Sequence, residues 1–458
     1  MKVVICGAGQ VGFGIAERLA AEGNDVSVID LQPRLIQTIS DSLDVRGFVG
    51  HGAHPDVLAQ AGLEQADMLI AVTQSDEVNM VACQVGASLF NVPTKVARIR
   101  AQNYLSAEWS ELFARENLPI DVVISPELEV GEAVMRRLQV PGASDTVSFA
   151  DDKLVVAAID CREDCPIIDT PLSQLTELFP DLRSRVIGIK RGERVFAPRS
   201  IDSISAGDLA YVAAERAQLQ RTLTIFGRDE PPARKVVIAG GGNIGVYVAR
   251  RLEESVKKAS VKVIEPNAAR ALEIADEFQH GVVLNGSALD ETVLREAGVA
   301  QADTFVALTN DERVNILSAG LAKHTGCRRS LCLVNTATFS GLLDDLGIDM
   351  QVNPRGVTVS RILRHVRRGR IRALHSIAEG KGELVEAEAL ETSPLVGVPL
   401  RELNMFEGMR IGAIYRGGQI ILPHGDTVLQ ANDRVVLFAE AERVKRVEQL
   451  FRVSLEFF

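Results

Sequence analysis

The sequence predicts an α/β chain: two doubly wound parallel-sheet domains, each followed by a small α+β domain. Three observations predict it. In the opening stretch, Lys2 to Asp30, an apolar run leads into Gly7-Ala8-Gly9-Gln10-Val11-Gly12, then a helical pattern, then a second apolar run ending on Asp30. That stretch returns 233 positions on, from Lys235, as Gly240-Gly241-Gly242-Asn243-Ile244-Gly245, with Glu265 in the place of Asp30. The intervening sequence repeats too: Cys165-Pro166-Ile-Ile-Asp-Thr-Pro171-Leu172 recurs as Ser393-Pro394-Leu-Val-Gly-Val-Pro399-Leu400. The chain therefore reads N–C–N–C. At 458 residues it exceeds what one hydrophobic core supports, as that order requires.

Each element of the first N part has a physical reason. Val3 to Ile5 form a buried strand. Gly7 allows the tight turn, Gly9 lets the backbone approach a pyrophosphate, and Gly12 lets helix and strand pack closely. The phosphates would rest on the amides and positive dipole end of the helix that follows. Asp30 closes the second strand, where a carboxylate accepts hydrogen bonds from ribose hydroxyls and repels a 2′-phosphate. This is a Rossmann-like unit. In such sheets ligands sit beyond the carboxyl ends of the strands. Those ends place His51-Gly52-Ala53, Thr73-Gln74 and Arg98-Ile-Arg100 around the site. Arg98 and Arg100 read either as cationic partners of a phosphate or as surface salt bridges on a strand end.

The second N part keeps Glu265, Thr309 and Asn310, but the stretch equivalent to Arg98-Ile-Arg100 is Leu333-Val334-Asn335. It is expected to bind a nucleotide differently or more weakly. An amphipathic helix follows each N part, at about Pro126 to Val140 and about Val357 to Arg368. Each C part carries matched prolines, Ile189-Lys-Arg-Gly192 recurring as Ile414-Tyr-Arg-Gly417, and a turn before its last strand at Gly207-Asp208 and Asn432-Asp433. The paired prolines of Arg228-Asp-Glu-Pro-Pro-Ala-Arg234 mark a linker. The expected domains are 1–124 (N), 125–143 (crossover helix), 144–228 (C), 229–234 (linker), 235–356 (N), 357–372 (crossover helix) and 373–458 (C).

Composition excludes several classes. A net charge of −11 argues against a nucleic-acid binder. No segment approaches the length of a membrane span. The N-terminus opens as a strand without a secretory signal, so a cytoplasmic location is expected. Six cysteines show no metal-site spacing and read as reduced, packed thiols. One local inversion of charge stands out: Arg361 to Arg372 holds six arginines in twelve residues. It reads as a docking surface for an acidic partner or anionic lipid, or as a crossover helix paired with neighbouring carboxylates.

A dehydrogenase needs a group that moves a proton beside the hydride. None of the seven histidines recurs between copies, and no GxxxxGK[ST] phosphate loop is present. A duplicated nucleotide site without a catalytic partner fits a sensor, in which ligand binding shifts the pose of paired domains. An NAD-dependent oxidoreductase with an unrecognised substrate lobe is the alternative. Protein-dependent oxidation of NADH by a carbonyl substrate would decide for it.

The tandem glycine turns at 7–12 and 240–245, with Asp30 and Glu265, and the two C-part openings resemble the Trk-system potassium-uptake regulatory family, TrkA, over essentially the whole chain. That family is a tandem of RCK (regulator of potassium conductance) units, each with a nucleotide-binding lobe and a TrkA-C lobe. The resemblance implies a non-catalytic subunit without metal, cytoplasmic and peripheral on the inner face of the cell membrane. It implies a homotetramer beneath a TrkH/TrkG-type potassium translocator, which the subunit gates. It implies NAD(H), and ATP or ADP, as ligands. The first site would use Gly7, Ala8, Gly9, Gln10, Val11, Gly12, Asp30, Thr73, Gln74 and Arg98. The second would use Gly240, Gly241, Gly242, Asn243, Ile244, Glu265, Thr309 and Asn310.

Overall fold

The computed structural model describes residues 1–179, 181–336, 339–366, 371–403 and 407–451. In chain order the first N lobe comprises β1 (Lys2–Cys6), α1 (Gln10–Ala21), β2 (Asp25–Asp30), α2 (Pro33–Ser42), β3 (Arg46–Val49), α3 (Pro55–Gln60), β4 (Met68–Ala71), α4 (Asp76–Ser88), β5 (Thr94–Arg98), β6 (Val122–Ile124) and α5 (Pro126–Gln139). The first C module follows with β7 (Asp145–Phe149), β8 (Leu154–Cys161), α6 (Leu172–Leu178), β9 (Ser184–Arg191), β10 (Arg194–Phe196), β11 (Asp208–Glu215) and α7 (Leu219–Ile225).

The second N lobe repeats the first: β12 (Lys235–Ala239), α8 (Asn243–Ser255), β13 (Ser260–Glu265), α9 (Ala268–Ala275), β14 (Val282–Asn285), α10 (Glu291–Ala297), β15 (Thr304–Ala307), α11 (Glu312–His324), β16 (Ser330–Leu333), α12 (Ser340–Asp345), β17 (Met350–Val352) and α13 (Pro354–Val366). The second C module has β18 (Ile371–Ile377), β19 (Gly382–Glu388), β20 (Met409–Arg416), β21 (Gln419–Ile421), β22 (Arg434–Glu440) and α14 (Val444–Leu450).

Both N lobes are parallel sheets, ordered β3-β2-β1-β4-β5-β6 and β14-β13-β12-β15-β16-β17. That order reverses direction between β1 and β4, which opens a crevice beyond the strand ends. The C modules are antiparallel sheets of matching topology, β10-β9-β11-β8-β7 and β18-β19-β22-β20-β21. The expected fold class is the observed one.

The chain folds into two units: Met1–Met135 with Arg234–Val366, and Arg136–Ala233 with Arg367–Phe458. In the first unit the lobes exchange helices. Ile362 and Leu363 of α13 are buried in the core of the first lobe with Ile15, Leu19 and Ile124. In return, α5 lies on α8: Tyr247 bonds Glu132, and Arg251 stands 3.4 Å from the same carboxylate. Arg361 of α13 pairs with Glu129 of α5 at 2.8 Å. The second crossover helix starts at Pro354, three residues earlier than the sequence suggests, because proline at the first helical position sacrifices no hydrogen bond.

In the second unit one apolar cluster joins the two modules, with Phe149, Ile187 and Tyr211 packed among Leu384, Val436 and Phe438. The repeated Arg-Gly and Gly-Asp signals find each other here. Arg191 pairs with the buried Asp208 at 2.7 Å, and Arg416 with the buried Asp433 at 2.6 Å. Each carboxylate also accepts a backbone N–H three residues before it, from Ser205 and Gln430, at 2.8 Å. All six cysteines are buried free thiols.

Candidate functional site

The two glycine turns are built alike. Gly7 has φ +111° and Gly240 φ +108°, the region that favours glycine, and a Cβ on either would press on the backbone of Val72 or Leu308. A Cβ on Gly12 or Gly245 would overlap the carbonyl oxygen of Gly7 or Gly240. Gly9 and Gly242 differ. Their φ values, −66° and −72°, suit any residue, and nothing lies within 4 Å of where a Cβ would stand. Fold packing does not require glycine at these two positions, and its absence of a side chain leaves the backbone open to the approach of a ligand. No side chain caps α1 or α8, so their first-turn amides face outward, while α4 and α11 are capped by Ser75 and Asp311. These open cradles fit a pyrophosphate.

Asp30 and Glu265 hold their turns. One Asp30 carboxylate oxygen accepts the Ala8 N–H at 2.7 Å and the other the Gln32 N–H at 2.8 Å. Glu265 does the same with Gly241 at 2.8 Å and Asn267 at 2.9 Å. A carboxylate oxygen accepts more than one hydrogen bond, so the tie leaves acceptor capacity for a ribose. Thr73 and Thr309 serve their own loops: each donates its hydroxyl at 2.7 Å, and its backbone N–H at 2.8 Å, to the side-chain oxygen of Asn79 or Asn315. Gln74 is exposed. Gly52 packs against the side chain of Cys6.

The two cradles open on one cleft. A cavity of about 520 Å³ within the first unit is lined by Gln10, Val11 and Arg98 of the first copy and by Gly242, Asn243, Ile244 and Asn310 of the second. The other site residues read from the sequence, Gly7, Ala8, Gly9, Gly12, Asp30, Thr73, Gln74, Gly240, Gly241, Glu265 and Thr309, are outside its lining. Arg98 donates to the Thr73 carbonyl, and its Nε is buried with no partner among the described residues. Burial, and then the charge of Arg100, lower the Arg98 guanidinium pKa. Arg100 instead pairs with Glu127 at 2.8 Å, the salt-bridge reading of that residue. The strand ends at Arg98, so the two arginines do not share a strand face.

Several lining residues carry no motif and escape sequence reasoning: Glu127 at the start of α5, Arg355 and Thr358 at the start of α13, and Asn335 after β16. Asn79 and Asn315 escaped it too. Their signal was present, a polar residue kept in both copies at a buried helical position. A larger cavity, about 730 Å³, lies between the C modules of the second unit; it is lined by Leu172 and Leu400 of the repeated stretches and by none of the site residues read from the sequence. The Arg361 to Arg372 surface falls partly outside the described residues, at 367–370; within it, Arg361 is committed to Glu129.

Comparison with known proteins places this geometry. The TrkA-N domain model matches residues 3–126 and again 236–354, and the TrkA-C domain model matches 156–227 and 384–452. The chain belongs to the TrkA family. The TrkA of Azorhizobium caulinodans is 63% identical over 458 residues, and that of Halomonas elongata 40% identical over 462, each match covering 100% of both chains. Both are Trk system potassium uptake proteins. Among solved structures, the GsuK RCK domain superposes with a TM-score of 0.61 at 19% identity, covering 98% of this chain and 94% of that one. The GsuK channel bound to NAD gives 0.61 at 18% identity, covering 98% and 78%. At these identities the likeness is one of fold.

Proposed function

We propose that this TrkA-family chain is the nucleotide-sensing regulatory subunit of a Trk-type potassium uptake system. It gates a membrane translocator of the TrkH/TrkG kind through ligand-dependent rearrangement of its paired lobes. Its role is regulatory and not catalytic. The observation that carries the reading is a pair of equivalent glycine turns, unobstructed at Gly9 and Gly242, with Gln10 and Val11 of the first and Gly242 to Ile244 of the second lining one cleft between lobes that exchange helices. A ligand seated there changes the lobe-to-lobe pose, the element a switch needs.

The ligands are NAD(H), and ATP or ADP. The first cradle is Gly7 to Gly12 with Asp30, Thr73, Gln74 and Arg98; the second is Gly240 to Ile244 with Glu265, Thr309 and Asn310. The working form is a homotetramer, cytoplasmic and peripheral on the inner face of the membrane. In support, no helix among the described residues is long and apolar enough to cross a membrane.

The test is calorimetric titration of NADH, NAD, ATP and ADP into the full chain and into Gly9→Ala and Gly242→Ala. Both methyl groups enter open space, so folding is untouched and only a ligand against the backbone is displaced. Loss of binding in Gly9→Ala supports the first site. Unchanged binding in both variants overturns the cradle reading.

A further inference from the structure

We infer that Arg355, carried by the second copy, determines the specificity of the first copy's nucleotide site: with Arg98 it holds the terminal phosphate of a nucleoside di- or triphosphate. This rests on the nucleotide reading above. The ligand is thereby gripped from both copies at once.

The cleft is lined largely by equivalent positions of the two copies and is asymmetric in charge. Its titratable lining is Arg98, Arg100, Glu127 and Arg355. Arg100 and Glu127 are paired, which leaves two cations, one from each copy. Arg98 stands at the end of β5 with its buried Nε lacking a partner among the described residues. Arg355 opens α13 and lies along α1. Its guanidinium is 5.6 Å from the Phe13 ring centre, and its Nε would be 3.0 Å from a Cβ on Gly14. Glycine at 14 is what allows so close an approach; the equivalent position on α8 is Tyr247. The ion pair Arg355 makes among the described residues is with Glu17, at 3.7 Å and 58% exposed, a pairing too long and too solvated to hold the charge, and the other acid of the cleft, Glu127, is taken by Arg100. Phe13 and Gly14 orient the arginine, and Gln10 and Val11 share the cavity with it.

The symmetric counterpart supplies the contrast. Arg98 corresponds to Leu333: Asn79 donates to the Arg98 carbonyl and Asn315 to that of Leu333. Arg355 corresponds to Glu127, each following the proline that opens its crossover helix. The first cradle thus meets two guanidiniums, and the second has Leu333 at the position of Arg98 and, at the position of Arg355, Glu127 already paired with Arg100. Guanidinium forks bind phosphate oxygens in charge-assisted pairs. A terminal phosphate is stabilised in the first site, and the second lacks both guanidiniums.

The experiment titrates ATP, ADP and AMP into the full chain and into Arg355→Gln and Arg355→Lys. The wild type is expected to bind ATP about tenfold or more tighter than AMP. Arg355→Gln is expected to remove most of that preference while leaving AMP within about twofold, and Arg355→Lys to restore part of it. Equal loss for ATP and AMP would show that Arg355 only docks the lobes, and would overturn the inference. An unchanged ATP preference in Arg355→Gln, or none in the wild type, overturns it as well. If the wild type binds no nucleotide at all, the underlying site reading fails with it.

Discussion

Two glycines three residues apart, Gly9 and Gly12, do opposite work. A methyl on Gly12 would overlap the Gly7 carbonyl, where backbone meets backbone and neither can yield. Gly12→Ala is expected to cost about 3 kcal/mol in chemical denaturation, and Gly9→Ala less than about 0.5. Equal costs would mean that the turn is looser than its geometry. Asn79 works on the same scale. Fully buried, it accepts from the Thr73 N–H and hydroxyl and donates to the carbonyls of Thr73 and Arg98. Asn79→Ala leaves those groups unsatisfied, an expected loss of about 3 kcal/mol. Because Asn79 holds the carbonyl beneath Arg98, ATP affinity is expected to fall with stability, a coupling that calorimetry on the same sample would read.

Among elements, the crossover helices decide how the lobes fit. On α5, Gly131 makes room for the Tyr247 ring of α8; on α13, Val359 fits against Gly14 of α1. Small meets large at both contacts, with the roles exchanged. Gly131→Val is expected to destabilise by about 1–3 kcal/mol, and Tyr247→Ala in the same chain to recover at least about 1 of it. Purely additive losses would show that the two positions do not touch. The cap of α11 titrates. Asp311 accepts the Arg313 and Val314 amides, and the Arg313 side chain, first among the causes, holds its carboxyl down at about 2. A depressed folded pKa contributes stability above the ordinary carboxylate value and loses it as pH falls through 2. The stability gap between wild type and Asp311→Asn is therefore expected to close as pH drops from 4 towards 2.

On the scale of the molecule, chain order and spatial order disagree. The chain runs N–C–N–C, whereas one unit holds both N lobes and the other both C modules. A protease site placed between Asp229 and Pro232 is expected to yield halves that co-elute without denaturant, since Ile362 and Leu363 of one half are buried in the core of the other. Halves that separate would contradict the exchange. The repeat, the sheet class and both glycine turns were legible in the sequence because strand hydrophobicity and glycine sterics are local. The exchange of α5 and α13 was not, since an amphipathic face records that it is buried and not by which lobe. Nor was Arg355, which lies 341 positions from the Gly14 it rests against and acts only through that exchange. Two equivalent lobes trading helices is the arrangement of a symmetric dimer. In a dimer of identical chains every substitution is made twice, so no change can favour one site at the other's expense. Joined on one chain, the copies escape that constraint. Leucine stands where its counterpart is Arg98, and glutamate where its counterpart is Arg355, so one ancestral pocket can become two receptors tuned to different messages.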